Sequence, residues 1–199
     1  MRHLILTCLI AASLLSACNN NKKPSEVTIT SEDGKEKVTV DPNMGSKTAE
    51  AMTEKIEELK KLTPLSLDEL KAMIPEEFMG MKRTSFNANS MMGAGTCNAT
   101  YKSDDGKELK VTIIDCAGEA GAGIYSLRYW TMWNFQQEDD NGYQKTIDFN
   151  GGKAIEKYSK YNDEYGLTYV ATDRLLVTLE GEKIGLDGVK DAAKTLNLK

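Results

Sequence analysis

A chain of 199 residues, 40% hydrophobic and 28% charged, is sized for one globular domain with an appendage, and no internal repeat marks a second. Its 25 Lys and Arg against 30 Asp and Glu leave a net charge of −5, so it has no electrostatic reason to hold nucleic acid or to lie on an anionic membrane. The only histidine, His3, lies at the N-terminus, which leaves zinc, copper and histidine-based acid–base chemistry few ligands.

The chain opens with MRHLILTCLIAASLLSAC: a basic start at Arg2, an apolar run from Leu4 to Leu15, then small residues before Cys18. The run is too short to stay in a bilayer as a spanning helix and reads as a secretory signal over 1–17. Leu15-Ser16-Ala17-Cys18 resembles the lipobox of bacterial lipoproteins at all four positions, whereas Cys8 follows Ile5-Leu6-Thr7, which does not fit. The resemblance implies cleavage before Cys18, diacylglycerol on its thiol and an acyl chain such as palmitate on the new amino group. Each buried methylene contributes about 0.8 kcal/mol, so several chains together hold a protein on the membrane durably. No Asp follows Cys18, which under the enterobacterial sorting rule points to the outer membrane, facing the periplasm. Loss of Arg2 and His3 with the signal takes the net charge from −5 to −6 and leaves no histidine.

Residues 18–45 read as a tether. Asn19 to Ser25 is polar, and VTITSEDGKEKVTV over 27–40 alternates around Asp33-Gly34 as a hairpin does. A lone hairpin is marginal in water, so a mobile extension of the tether is expected. The folded domain is expected over 46–199. Ser46 to Leu62 carries Ala49, Met52, Ile56 and Leu59 on one helical stripe, and Pro64 ends it. Ser66 and Glu69 form a capping box for a short helix with Leu67, Leu70, Met73 and Ile74, stopping before Pro75.

Strands are expected at Lys82–Ala88, Thr96–Ser103 and Glu108–Cys116, the last two joined at Asp105-Gly106. Gly118 to Gln136 is the pivot: a glycine-rich approach to a helix that holds both tryptophans, Trp130 and Trp133. Four more strands follow, Tyr143–Asn150, Lys153–Tyr161, Tyr165–Ala171 and Arg174–Glu180, and a helix from Leu186 to Leu196, capped by Asp187, closes the chain. The expected fold is α+β: an antiparallel sheet of about seven strands with a central helix and N- and C-terminal helices packed on it. In element order alone this resembles the PsbP/Mog1-type sandwich, with helices over both faces of an antiparallel sheet. No motif carries that likeness and no functional residue is transferred; it implies a binding or assembly factor.

The glycines of the pivot, Gly118, Gly121 and Gly123, fit neither the dinucleotide spacing nor the P-loop, and Glu119 repels a phosphate; they read as a steric device for laying the helix on the sheet. Further along, Ile124, Leu127, Thr131 and Phe135 share one helical face, and Tyr125, Tyr129, Met132 and Trp133 another. Such a helix is buried on both sides, or its aromatic face Tyr125/Tyr129/Met132/Trp133 meets a ligand or partner. Cys97 and Cys116 lie on one hairpin in an oxidising compartment. A two-residue turn would make them diagonal neighbours on one face, so a disulfide and two buried free thiols stand equal. Gln137, Asp139, Asn141 and Asp148 brush the calcium-loop spacing, but the first position is Gln and the segment reads as the solvated exit of the helix.

No catalytic residue, metal or cofactor is expected, and a serine triad lacks its base. The expectation is an envelope lipoprotein, not an enzyme, held to the membrane through Cys18 and acting as a binding or assembly module for an envelope protein. A carrier of small molecules or lipid, with a pocket between sheet and pivot helix, is the alternative, and a hydrolase the third.

Overall fold

The structure is a computed structural model and describes residues 27–30, 37–40, 46–91, 93–129 and 135–198, with only the backbone described at 27–30, 37–40, 46–49, 91 and 129. The signal, Cys18, most of the tether including Asp33-Gly34, and Trp130, Thr131, Met132 and Trp133 of the expected pivot helix lie outside the described residues, as does the Tyr129 side chain.

One antiparallel sheet organises the domain. Its strands are β1 (Val27–Thr30), β2 (Lys37–Val40), β3 (Glu77–Phe78), β4 (Met81–Met91), β5 (Ala94–Lys102), β6 (Glu108–Asp115), β7 (Gln136–Asp139), β8 (Gly142–Phe149), β9 (Gly152–Ser159), β10 (Glu164–Ala171) and β11 (Leu175–Glu182). They lie in the order β1-β2-β7-β8-β9-β10-β11-β6-β5-β4-β3. Nine strands begin at Glu77 or later, against about seven expected. The additions are β3 and β7. Two residues are too few to show alternation, and Gln136-Gln137-Glu138-Asp139 has no apolar residue to reveal one. The 27–40 hairpin is not a free extension: β2 pairs with β7, Lys37 opposite Glu138, and β1–β2 closes that edge of the sheet.

The helices α1 (Ser46–Lys61), α2 (Leu67–Ala72), α3 (Gly118–Tyr129) and α4 (Gly185–Thr195) divide between the faces. Because strand side chains alternate, odd-numbered residues of β5, β6, β10 and β11, among them Cys97, Tyr101, Ile113, Leu167, Val177 and Leu179, form the main core under α2 and α4. Even-numbered Ile114, Leu176 and Val170 face the other way, with Leu59 of α1 and Ala122 and Tyr125 of α3. The layers are helix, sheet, helix. Buried tyrosines fasten them: Tyr101 Oη donates to Pro75 O at 2.9 Å, and Tyr169 Oη to Ala193 O at 3.0 Å.

The capping box at Ser66 and Glu69 is present in both directions, and Leu70, Met73 and Ile74 are buried while Leu67 is exposed. Asp187 does not cap α4. The N-cap is Ile184, without a side-chain bond, and Asp187 lies in the first turn, where a carboxylate favours the positive end of the helix. A half-buried ion pair, its carboxylate fully enclosed, locks the approach to the pivot. Arg174 Nε and Nη2 donate to Asp115 Oδ1 and Oδ2 at 2.9 and 2.7 Å. The same carboxylate accepts from Leu65 N at 2.7 Å and Ala117 N at 3.2 Å, so it ties the α1–α2 linker, β6 and the start of α3 together.

Candidate functional site

Across the α1/α3 face the cross-strand partners form rows of changing chemistry. The first row, Thr96, Ile114, Leu176 and Val170 on β5, β6, β11 and β10, is mainly apolar, and Ile114, Leu176 and Val170 lie under α1 and α3. The next row is Asn98, Thr112, Thr178, Thr168 and, on β9, Ile155. Thr112 Oγ1 donates to Asn98 Oδ1 at 2.9 Å, and the Thr168 and Thr178 hydroxyls bond to each other at 3.0 Å. The third row is Lys110, Glu180, Gly166, Lys157 and, on β8, Gln144. α3 covers the apolar row, and the sheet beyond it is polar and partly open to solvent.

Where the covered part gives way to the open part lies a cavity of about 360 Å³. Its floor is the threonine row, its walls include Ile114, Ile155 and Leu176, and its rim carries Arg128 from the last turn of α3 with Lys157, Glu180 and Gln144. That is the size range of small-molecule sites, but hydroxyl, amide and charged groups outnumber the aliphatic ones, so the lining suits a hydrogen-bonding ligand better than an acyl chain. Gly166 lines the cavity from the row beside this floor, in extended backbone. A Cβ there would meet only ordinary contacts, the nearest being Lys157 Cβ at 3.5 Å.

A second polar cluster lies on the opposite face. Glu156 is 1% exposed, in mid-strand. Its Oε1 accepts from Tyr143 Oη at 2.9 Å and pairs with Lys145 Nζ at 3.1 Å, and its Oε2 pairs with Lys190 Nζ of α4 at 2.8 Å. Burial alone would raise the Glu156 pKa, but the bonds from Lys190, Lys145 and Tyr143 outweigh it and hold the carboxyl below the usual glutamate value. The Tyr143 hydroxyl is pushed up by burial and by its bond to that anion. With every oxygen bonded, the cluster is a structural tie between α4 and the β8–β9 pair.

The residues singled out in the sequence meet different fates. Tyr125 is 8% exposed and packs with Leu59, Cys116 and Leu176, so that member of the aromatic face is core. Leu127, expected on a buried face, is 78% exposed. Cys97 and Cys116 are free and buried, and burial pushes both thiols up to about 11. The hairpin between them is not a two-residue turn: Lys102 pairs with Glu108, leaving a five-residue loop over 103–107. The register slips by one, Cys97 faces Ile113 instead of Ile114, and the two thiols lie on opposite faces of the sheet, out of bonding reach. The segment that brushed the calcium spacing is the β7–β8 hairpin, where Asp139 Oδ1 accepts from Asn141 N at 2.7 Å and Gly142 N at 3.1 Å. No cluster of metal-ligating side chains occurs among the described residues. At the pivot, the Ala117 amide is directed at Asp115, an anion of the chain itself. Sequence reasoning missed the cavity lining, because Thr112, Thr168 and Thr178 stand on three strands and share no motif.

Comparison with family models, with curated proteins and with solved structures returns no match to the chain.

Proposed function

We propose that this chain is a lipid-anchored, non-catalytic binding module of a bacterial envelope, which takes a small polar ligand into the cavity between the sheet and the end of α3. The observation that carries the reading is the threonine-floored cavity of about 360 Å³ at the edge of the covered half of the sheet. Its place, against the helix that follows the glycine-rich turn, is where a carrier's pocket is expected from the sequence; its lining favours a polar ligand over a lipid. The anchor and the periplasm-facing outer-membrane address rest on the lipobox at Cys18. The non-catalytic part draws support from Asp115 and Glu156, whose carboxylates are closed into ion pairs away from the cavity and serve packing.

The test is native mass spectrometry of the acylated protein released in detergent, before and after incubation with the small-molecule fraction of the periplasm. A retained mass of a few hundred daltons is expected for the wild type. Gly166→Leu, which places a side chain in the cavity at a backbone position that tolerates a Cβ, should weaken retention about tenfold or more without lowering the melting temperature. A bare wild-type spectrum under both conditions, or equal retention by Gly166→Leu, overturns the proposal.

A further inference from the structure

The β4 edge has a property unusual for a sheet terminus. β4 is eleven residues long, but its outer neighbour β3 covers only Met81 and Lys82, and the last bond on that side is Arg83 N to Glu76 O at 2.9 Å. From Thr84 to Ser90 no strand among the described residues pairs with the outer edge. Sheet edges are ordinarily blunted by Lys, Pro, inward charge or brevity. The stretch Thr84-Ser85-Phe86-Asn87-Ala88-Asn89-Ser90 has no charged residue and no proline. The bulge between Arg83 and Ser85 falls at its first residue, Thr84, and from Ser85 to Met91 the strand stays in unbroken register with β5. Phe86, with the Arg83 guanidinium 4.8 Å from its ring centre, is 36% exposed, and Ala88 packs at the margin of the main core.

The geometry points to a second copy of this chain as the occupant of that edge, with two β4 strands paired antiparallel about a two-fold axis through Asn87. A two-fold perpendicular to a sheet keeps each face on its own side, so opposed residues must share a face and the axis must pass through a residue. An axis at Asn87 uses the whole free length. It sets Thr84 against Ser90, Ser85 against Asn89, Phe86 against Ala88, and Asn87 against its own copy. Large meets small on the core side, where Phe86 and Ala88 of both copies continue the hydrophobic layer across the joint. Polar meets polar on the other side, where Asn89 Nδ2 already donates to Asn87 Oδ1 at 2.8 Å. A charge on the axis would face its own copy; this edge carries none. An axis at Ala88 would oppose Phe86 to Ser90, and one at Phe86 would use only Thr84 to Ala88 before meeting the end held by β3. The inference is independent of the cavity and its ligand.

The experiment is disulfide trapping in membranes carrying the full chain, with copper-phenanthroline as oxidant. Directly opposed Cβ atoms across antiparallel strands lie about 4.5–5.5 Å apart, within reach of a disulfide after small adjustment. Asn87→Cys should trap a covalent homodimer. Ser85→Cys and Asn89→Cys, the next opposed pair within the regular part of the strand, should each fail alone and succeed when co-expressed. Tyr161→Cys, at a residue 96% exposed, measures random collision, and the native thiols of the described residues, Cys97 and Cys116, are buried. Asn87→Asp, measured by the sedimentation of detergent-solubilised protein, should weaken dimerisation about tenfold by facing two carboxylates. The proposal is overturned if Asn87→Cys traps no more dimer than Tyr161→Cys, if it traps a different protein, or if Asn87→Asp leaves the monomer–dimer distribution unchanged.

Discussion

Glu156 shows burial and bonding in opposition at one atom group. A carboxylate 1% exposed should resist ionisation, but two ammonium groups and a phenol hold it charged, and its pKa falls below the ordinary 4.5. A depressed folded-state pKa contributes stability that is present above about 4.5, the unfolded value, and is lost as pH falls through the folded value. Glu156→Gln keeps one acceptor for Tyr143 but leaves Lys145 and Lys190 facing each other without their anion. It should cost about 1–3 kcal/mol at pH 7 in urea unfolding, and the cost should shrink as the pH falls below about 4.5 through the folded-state value, where the wild type loses the same charge. A cost that stays constant throughout an acid titration would mean that the ion pairs do not stabilise the fold. Nothing in Lys-Ala-Ile-Glu-Lys distinguishes this glutamate, because its partners arrive from β8 and α4.

At the scale of the element, α3 separates a glycine that is required from one that is not. A Cβ on Gly121 would lie 2.4 Å from the Cys116 carbonyl carbon and 2.7 Å from Asp115 O, so the helix rests directly on the end of β6. Gly123 has no neighbour within 4 Å of the same position. Gly121→Ala should therefore cost about 2–3 kcal/mol through displaced backbone, whereas Gly123→Ala should be neutral or stabilise by up to about 1 kcal/mol through helix propensity, both read from thermal unfolding. The sequence shows that the glycines serve close approach, but not which of them does, since the spacing is silent on what each meets. The helices and the seven longer strands are legible because periodicity and turn residues are local signals. The sheet order, the pairing of β2 with β7 and the cavity floor are not, because they depend on which strand lies beside which. Cys97 and Cys116 mark the boundary: both strands were legible, and a one-residue slip of register between them inverted the relation between their side chains.

For the whole molecule, α1 and α3 pack on the apolar row of the sheet while the rows beyond the threonines are partly open to solvent, and the cavity lies where one gives way to the other. No described helix is long and apolar enough to cross a membrane, so attachment in the proposed reading depends on Cys18 alone. Cys18→Ser should move the protein from the detergent-extracted membrane fraction to the soluble periplasmic fraction; unchanged partitioning would remove the lipid-anchor reading and leave the cavity reading standing.

The order of strands also fixes a lever. Val27 begins β1 nine residues after Cys18, a span of at most about 32 Å even when fully drawn out, and β1 is one extreme edge of the sheet. β4, nine strands across, lies about 43 Å from it at ordinary strand spacing. An acylated chain is thus held by one margin and presents the other away from its point of attachment. Two copies joined at β4 would form a strip with a lipid foot at each end, lying along the bilayer like a bridge on two piers and not standing from it as a post.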